Sequence, residues 1–256
     1  MSKVYILILN WNGWKDTIEC LESVFRNNYV NYQVIVCDNH STDGSMEYMK
    51  AWAEGRLNVW VSPQNLLRRL SFPPVEKPIN YIEYKKEEAE RGGSKTDASV
   101  PLIFIQTGGN LGFAGGNNVG LRYALARDDF DYVWLLNNDT VIEPEALNQM
   151  VSNMQERPVA GICGSTLLFY NKPEKVQALG GAKYNKWLAL PKHIGEFEDF
   201  NKPINQTLVI SLMDYVAGAS MLVSNSFLKN IGLMNEEYFL YFEETKDLTI
   251  CPLDGS

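Results

Sequence analysis

Four near-continuous apolar runs divide the first half of the chain: VYILILN (Val4–Asn10), YQVIVCDN (Tyr32–Asn39), PLIFIQ (Pro101–Gln106) and YVWLL (Tyr132–Leu136). None alternates as a half-exposed strand would, so each reads as a strand buried on both faces of a parallel sheet. Helical patterns fill the gaps. DTIECLESVFRN places Ile18, Leu21, Val24 and Phe25 at helical spacing. STDGSMEYMKAWAEG opens on cap-type residues and closes on Gly55, which predicts a second helix. LNVWVS (Leu57–Ser62) predicts a short third strand. NNVGLRYALARD predicts a helix beginning near Asn117, after a glycine-rich turn, GGNLGFAGG. EPEALNQMVSNMQE predicts another, with Pro144 near its first turn, where proline is tolerated. This alternation of strand and helix is the signature of an α/β domain.

Two regions break the rhythm. Ser62 to Val100 carries four prolines before the charged run EYKKEEAERGG, with weak periodicity, and predicts a long surface excursion. After Ala160 the pattern changes: VAGICGSTLLFY, VQALGGAKYNKWLAL and LVISLMDYVAGASMLVS predict strands with glycine turns, some antiparallel. SFLKNIGLM predicts a short helix, and NEEYFLYFEETKDL is an aromatic stretch ending in acids. No repeat is evident.

Composition narrows the picture. With 256 residues, 45% of them hydrophobic, the chain can bury a substantial core as one α/β domain. A net charge of −8, without a Lys/Arg stripe, argues against nucleic acid as a partner. The same charge means that an anionic ligand such as a diphosphate would need a cation beside it. Cys20, Cys37, Cys163 and Cys251 are widely spaced, and the first three lie in apolar stretches, which points to a reducing cytoplasm. His40 and His193 show no ligand spacing. The N-terminal apolar run is too short for a signal peptide, and no stretch reaches the roughly 20 apolar residues a membrane span requires. The expectation is a soluble, cytoplasmic protein able to work peripherally at the inner face of a membrane.

Candidate chemistry follows the apolar runs. Asp38-Asn39-His40-Ser41 follows the second, Gly108 to Asn118 follows the third, and Asn137-Asn138-Asp139 follows the fourth. In a parallel sheet these clusters share one edge, where α/β proteins bind ligands. Singly, each is also an ordinary turn or helix cap. The glycine-rich stretch is not a dinucleotide fingerprint, since Gly109, Gly112 and Gly115 recur every third residue, and no Walker loop is present.

Taken together, ILNWNG, CDNHSTDGS, GGNLGFAGGNNVGLRYAL, LLNNDTVIEPEAL, DYVAGASMLVS and YFLYFEE occur in an order that resembles family 2 glycosyltransferases, most closely the rhamnosyltransferase-like subgroup. The resemblance spans nearly the whole chain. It implies a GT-A fold, with residues 1–140 binding a nucleoside diphosphate sugar and 141–256 serving the acceptor, a saccharide or lipid-linked saccharide. It also implies transfer with inversion, assisted by Mg²⁺ or Mn²⁺. By resemblance, Asp38 holds the nucleotide base, with Asn39 and Ser41 shaping its turn. Asn10 and Asn12 of the first motif join the donor-binding set. Asn110, Gly112, Gly115, Gly116 and Asn117 form the loop beneath the nucleotide and donor sugar. Asn138 and Asp139 match the D-x-D-like motif, with Asp139 on the metal and Asn137 standing where the family has its first Asp. Asp214 falls in the donor-sugar and acceptor region. Glu243 and Glu244 match the acidic pair, with Glu244 the foremost candidate for the base. Family chains usually continue past that pair, whereas FEETKDLTICPLDGS ends here, so the second half is expected to be truncated. The rival readings are a nucleotide-sugar-binding module without turnover and, disfavoured by the absent fingerprint, an NAD-dependent oxidoreductase.

Overall fold

The computed structural model describes residues 1–94, 99–185, 187 and 190–237. Its centre is a seven-stranded sheet in the order β3 (Tyr81–Lys85), β4 (Leu102–Gln106), β2 (Tyr32–Asp38), β1 (Val4–Asn10), β5 (Tyr132–Asn137), β12 (Ser220–Ser224) and β6 (Ile162–Gly164). The four apolar runs form β1 (Val4–Asn10), β2 (Tyr32–Asp38), β4 (Leu102–Gln106) and β5 (Tyr132–Asn137). All four are parallel, with β1 central between β2 and β5. Their side chains are buried on both faces, as the absence of alternation predicted. β12 (Ser220–Ser224) runs antiparallel to β5 and carries β6 (Ile162–Gly164) at the far edge.

Two cores flank the sheet. On one face Ile6, Ile8, Val34, Val36 and Trp134 pack with Leu21 of α1 (Trp14–Val24), Met49 and Trp52 of α2 (Ser45–Ala53), and Leu147 of α6 (Ala146–Glu156). On the other, Tyr5, Leu7, Ile35 and Leu135 pack with Val119, Tyr123 and Ala124 of α5 (Gly112–Arg127).

Four expectations fail locally. Leu57–Ser62 forms no strand. The edge position beside β4 is taken instead by β3 (Tyr81–Lys85), pairing Tyr81 with Leu102 through Lys85 with Gln106. The excursion is therefore not purely surface: it contains β3 and the short helices α3 (Arg68–Ser71) and α4 (Lys86–Ala89). It is anchored by fully buried Glu22 of α1, whose carboxylate accepts from Trp52 Nε1 at 2.8 Å, Val75 N at 2.7 Å and Lys77 Nζ at 3.3 Å. A buried carboxylate needs such donors, and the excursion supplies two of them.

Third, α5 starts at Gly112 rather than near Asn117. Its glycines serve packing: a Cβ on Gly116 would sit 2.5 Å from Leu9 Cδ1, and one on Gly120 would sit 2.3 Å from Leu7 Cδ1. Absent side chains let the helix lie close on β1. Fourth, LVISL is helical, in α7 (Gln206–Leu212), whose N-cap Asn205 accepts from Leu208 N. Short apolar runs do not reveal their period, and here the cap decided it.

The other strands form small sheets. β7 (Thr166–Phe169) pairs with β8 (Lys172–Leu179), while β9 (Gly181–Asn185) lies between β10 (Leu190–His193) and β11 (Tyr215–Val216). α8 (Asn225–Ile231) follows β12. No helix among the described residues is long and apolar enough to cross a membrane.

Candidate functional site

Register brings the polar clusters to one edge. Asn10 stands opposite Asp38, Asp38 opposite Gln106, and Leu9 opposite Asn137, so β1, β2, β4 and β5 end level with one another. A hydrogen-bonded network covers that edge. Asp38 Oδ1 accepts from Asn10 Nδ2 at 2.7 Å and Ser41 Oγ at 2.6 Å, and its Oδ2 accepts from Ser41 N at 3.1 Å. Asn12 joins through its backbone N–H, which donates to Ser41 Oγ, while its Oδ1 accepts from Thr42 N. Asn12 and His40 hold left-handed φ of 52° and 62°. That conformation is uncommon outside glycine, and it bends both loops tightly around the strand ends.

Asn39 organises the adjoining corner. Its Nδ2 donates to Asn110 Oδ1 and Gly112 O, and its Oδ1 accepts from Leu111 N. A single buried side chain thus fixes the entry of α5 against β2. Gly112, Gly115, Gly116 and Asn117, expected in a loop, belong to the opening turns of α5. Asn117 Nδ2 bonds within its own helix, to Phe113 O. The N-terminus of this helix carries partial positive charge, which favours an anion nearby.

Sequence reasoning missed two residues. Thr17 of α1 is fully buried; its Oγ1 donates to Asn10 Oδ1 at 2.8 Å and accepts from Asn138 Nδ2 at 3.0 Å. It is the hinge pin between the Asp38 cluster and the Asn137-Asn138-Asp139 turn. Thr107, buried after β4, donates to Asp38 O or Gly109 O. A threonine inside a helix gives little sign of such a role; its spacing from the strand ends was the only signal.

Asn138 is thus committed to the scaffold. Asn137 O accepts from Thr140 Oγ1 at 2.7 Å, which closes the turn and presents Asp139 to solvent. Beneath it, burial pushes the Cys20 thiol up to about 12, with the charge of Asp139 adding to the effect. Among the described residues Asp139 has no hydrogen-bond partner, and no three His, Cys, Asp or Glu side chains cluster to hold a metal. Asp214 precedes β11, and its Oδ2 accepts from Tyr184 N of β9. No hydrogen bond among the described residues joins it to the edge network. Glu243 and Glu244 lie outside the described residues.

This arrangement can be compared with known proteins. The model of glycosyl transferase family 2 matches residues 5–69 and 94–226, most of the chain and all of the strand edge. The chain belongs to glycosyl transferase family 2. The family match omits 70–93, the stretch that contributes Val75, Lys77, β3 and α4. A curated relative, the low-salt glycan biosynthesis hexosyltransferase Agl10 of Haloferax volcanii, is 30% identical over 144 residues, covering 56% of this chain and 44% of the relative. The chain therefore spans less than half the length of that relative. Among solved structures, the mannosyltransferase PcManGT of Pyrobaculum calidifontis, in complex with GDP-Man and Mn²⁺, superposes with a TM-score of 0.53. The identity is 14%, over 92% of this chain and 48% of that one. S. aureus TarS 1-349 gives a TM-score of 0.50 at 14% identity, over 95% of this chain and 53% of that one. These likenesses establish the GT-A-like α/β fold, with its mostly parallel sheet flanked by helices.

Proposed function

We propose that this chain is an inverting, divalent-metal-dependent glycosyltransferase. It moves a sugar from a nucleoside diphosphate to a hydroxyl of a saccharide or lipid-linked saccharide. The observation that carries this reading is the level ending of β1, β2, β4 and β5 in a connected network of amides, hydroxyls and the Asp38 carboxylate, with the exposed Asp139 beside it in the chain, next to Asn138. dTDP-rhamnose is the first donor to test, because the motifs resemble the rhamnosyltransferase-like subgroup. The complexes of PcManGT with GDP-Man and Mn²⁺ add a nucleotide sugar and a divalent ion as precedents within the fold.

The donor set suits the proposed ion. Mg²⁺ in nucleotide sites is held by one or two carboxylates and completed by phosphate oxygens, not by a protein cage. Asp139 supplies one exposed carboxylate of this kind. A divalent ion there would neutralise negative charge on the departing diphosphate. The remaining roles fall to the chain. The Asp38–Asn39–Ser41 turn holds the base, and the start of α5 lies beneath the diphosphate and sugar. Glu244, by resemblance, accepts the acceptor's hydroxyl proton. The acceptor oxygen then bonds to the anomeric carbon as the bond to the diphosphate oxygen breaks on the opposite side. The electron pair leaves on the nucleoside diphosphate, and the anomeric configuration inverts.

The test is thermal stability against a panel of nucleoside diphosphate sugars, with and without Mn²⁺, alongside release of the nucleoside diphosphate. A ligand that binds only the native state at about 100 times its Kd adds roughly 2.7 kcal/mol. For a chain of this size that is a rise in Tm of about 5–10 °C. The expected result is a metal-dependent rise, lost in Asp139→Ala, with diphosphate release from the wild type. A folded protein unresponsive to every donor overturns the reading. A shift without release supports the binding-module rival instead.

A further inference from the structure

A cavity of about 380 Å³ opens where the start of the excursion meets the β7–β8 turn, lined by Ser62, Gln64, Asn65, Leu66, Tyr170 and Asn171. Tyr170 and Asn171 are the turn residues between Phe169, the last of β7, and Lys172, the first of β8. The size falls within the roughly 300–1,000 Å³ of small-molecule sites, but most such sites are chiefly apolar. Here five of the six residues carry a hydrogen-bonding side chain and none is charged at neutral pH, and that combination selects the ligand. A phosphate or carboxylate wants cationic donors. An acyl chain would leave the amides unpaired. A sugar ring suits both features of the lining: its hydroxyls donate and accept, as side-chain amides do, and its C–H face lies on apolar carbon.

The hydrogen bonds within the wall leave suitable groups over. Ser62 Oγ donates to Gln64 Oε1 at 2.6 Å, which occupies the carbonyl of that amide and leaves its Nε2 available. Asn65 Oδ1 accepts from Leu67 N at 2.8 Å, while its Nδ2 donates to the Tyr170 hydroxyl at 2.7 Å. That hydroxyl in turn donates to the Glu19 carboxylate, 2.8 Å from Oε1 and 2.9 Å from Oε2, so the ring is held in place. Among the described residues, Gln64 Nε2 and the Asn171 amide make no hydrogen bond. Tyr170 and Leu66, both exposed, supply the apolar surface.

The same contacts fasten the cavity to the strand edge. Glu19 also accepts from Ser71 Oγ at 3.0 Å, and it lies in α1 between Thr17 and Cys20. Thr17 meets Asn138, and Cys20 Sγ lies 3.8 Å from Asn137 O. From the excursion, Arg69 forks onto Glu143, with Nη1 donating to Oε2 at 2.9 Å. Glu143 stands four residues past Asp139. Both walls of the cavity are thus pinned to elements that frame the Asn137-Asn138-Asp139 turn.

We propose that this cavity is a saccharide-binding subsite that receives a sugar ring of the acceptor, with Gln64 and Asn171 pairing its hydroxyls and Tyr170 and Leu66 covering its C–H face. The acceptor assignment rests on the glycosyltransferase reading above, whereas the saccharide chemistry rests on the lining alone. The subsite shares no residue with the donor set.

The probes are methyl glycosides of glucose, mannose, rhamnose and N-acetylglucosamine, with inorganic phosphate and octanoate as the ligands that the lining rejects. Binding is read by saturation-transfer difference NMR for the wild type, Asn171→Ala, Gln64→Ala and the double variant; both side chains are exposed, and Tm checks that each variant folds. The expected result is that at least one glycoside binds. Each single variant should weaken it by about 2- to 10-fold, as loss of one neutral hydrogen bond does, and the double variant by more than either. The donor-induced rise in Tm should be unchanged. The same glycoside should raise nucleoside diphosphate release, with its KM increased in the variants and the donor KM unaltered. No binding by any glycoside, or binding of phosphate or octanoate in its place, overturns the proposal. Binding that the variants leave intact puts the sugar elsewhere and overturns it too. A glycoside that binds in the cavity without raising release by an active enzyme overturns the acceptor assignment. Failure of the glycosyltransferase reading is distinct: neither donor shift nor release is seen, the acceptor assignment falls with it, and the NMR comparison still decides whether the cavity binds saccharide.

Discussion

Replacing Thr17 with Val removes one hydroxyl from the centre of the strand-edge network and leaves the shape of the residue nearly unchanged. The hydroxyl donates to Asn10 Oδ1 at 2.8 Å, with Gly13 O at 3.0 Å as its alternative acceptor, and accepts from Asn138 Nδ2 at 3.0 Å; Gly13 O keeps the Thr17 N–H, so two losses count. The two losses are unequal. Asn10 is 0% exposed, so its Oδ1 loses its partner with no water to replace it. A buried acceptor left unsatisfied costs about 1–3 kcal/mol. Asn138 is only partly buried and can turn to solvent, so its bond costs about its net worth of 0.5–1.5 kcal/mol. The sum is about 1.5–4.5 kcal/mol, which urea denaturation resolves readily. Thr17→Ser is the control: it keeps the hydroxyl and deletes a buried methyl, at about 1 kcal/mol. Hydrophobicity alone predicts the opposite order, since Val is the more apolar replacement. The functional consequence follows from the same geometry. Once Asn138 is released, the turn presenting Asp139 loses its tie to β1. The Mn²⁺-dependent donor shift should then fall by at least half in Thr17→Val and persist in Thr17→Ser. If Thr17→Val is as stable as Thr17→Ser, or keeps the full donor shift, the network does not hold the edge as argued.

Other consequences are open to measurement. Gly120→Ala should destabilise the protein by about 1–3 kcal/mol through overpacking against Leu7 and the Cys37 sulfur, although Ala is the better helix former by roughly 1 kcal/mol. A rise in stability would show that α5 can lift off β1 freely. Burial pushes the Cys20 and Cys37 thiols up to about 12, so both should resist alkylation at pH 8 in the native state and react once denatured, read by mass spectrometry. Glu236 is held below its ordinary value of 4.5, so its contribution to stability is full above that pH and lost as pH falls through the lowered value. The stability gap between wild type and Glu236→Gln should therefore be constant near pH 7 and close as the pH falls below the ordinary carboxylate value, through the lowered one. A gap that widens on acidification contradicts the charged Glu236 carboxylate accepting from Asn118 and Arg122.

How much of this was readable beforehand depends on how local each cause is. β1, β2, β4 and β5 were legible because burial on both faces forces an unbroken apolar run, and a parallel sheet then aligns their polar ends. Asp38, Asn39, Ser41 and Asn138 were legible for the same reason: each lies at or just past the end of such a run. Leu57–Ser62 misled because a β-branched, aromatic run states a capacity for pairing and not a partner. The place beside β4 went to Tyr81–Lys85, whose chain turns back through the Glu22 anchor. The start of α5 was hidden because glycine is a poor helix former, and only the close approach of Leu7 and Leu9 shows why it is needed there.

The sequence alone therefore determined the α/β class, the central strands and the common edge on which their polar ends meet, since these follow from burial and period along a single segment. The tertiary structure alone decided which residues tie that edge together. Thr17 touches Asn10 and Asn138 across 7 and 121 positions of chain, and Asn118 touches Met234 across 116. Hydrogen bonds between segments so far apart depend on how elements pack, and no local pattern of apolar and polar residues encodes them.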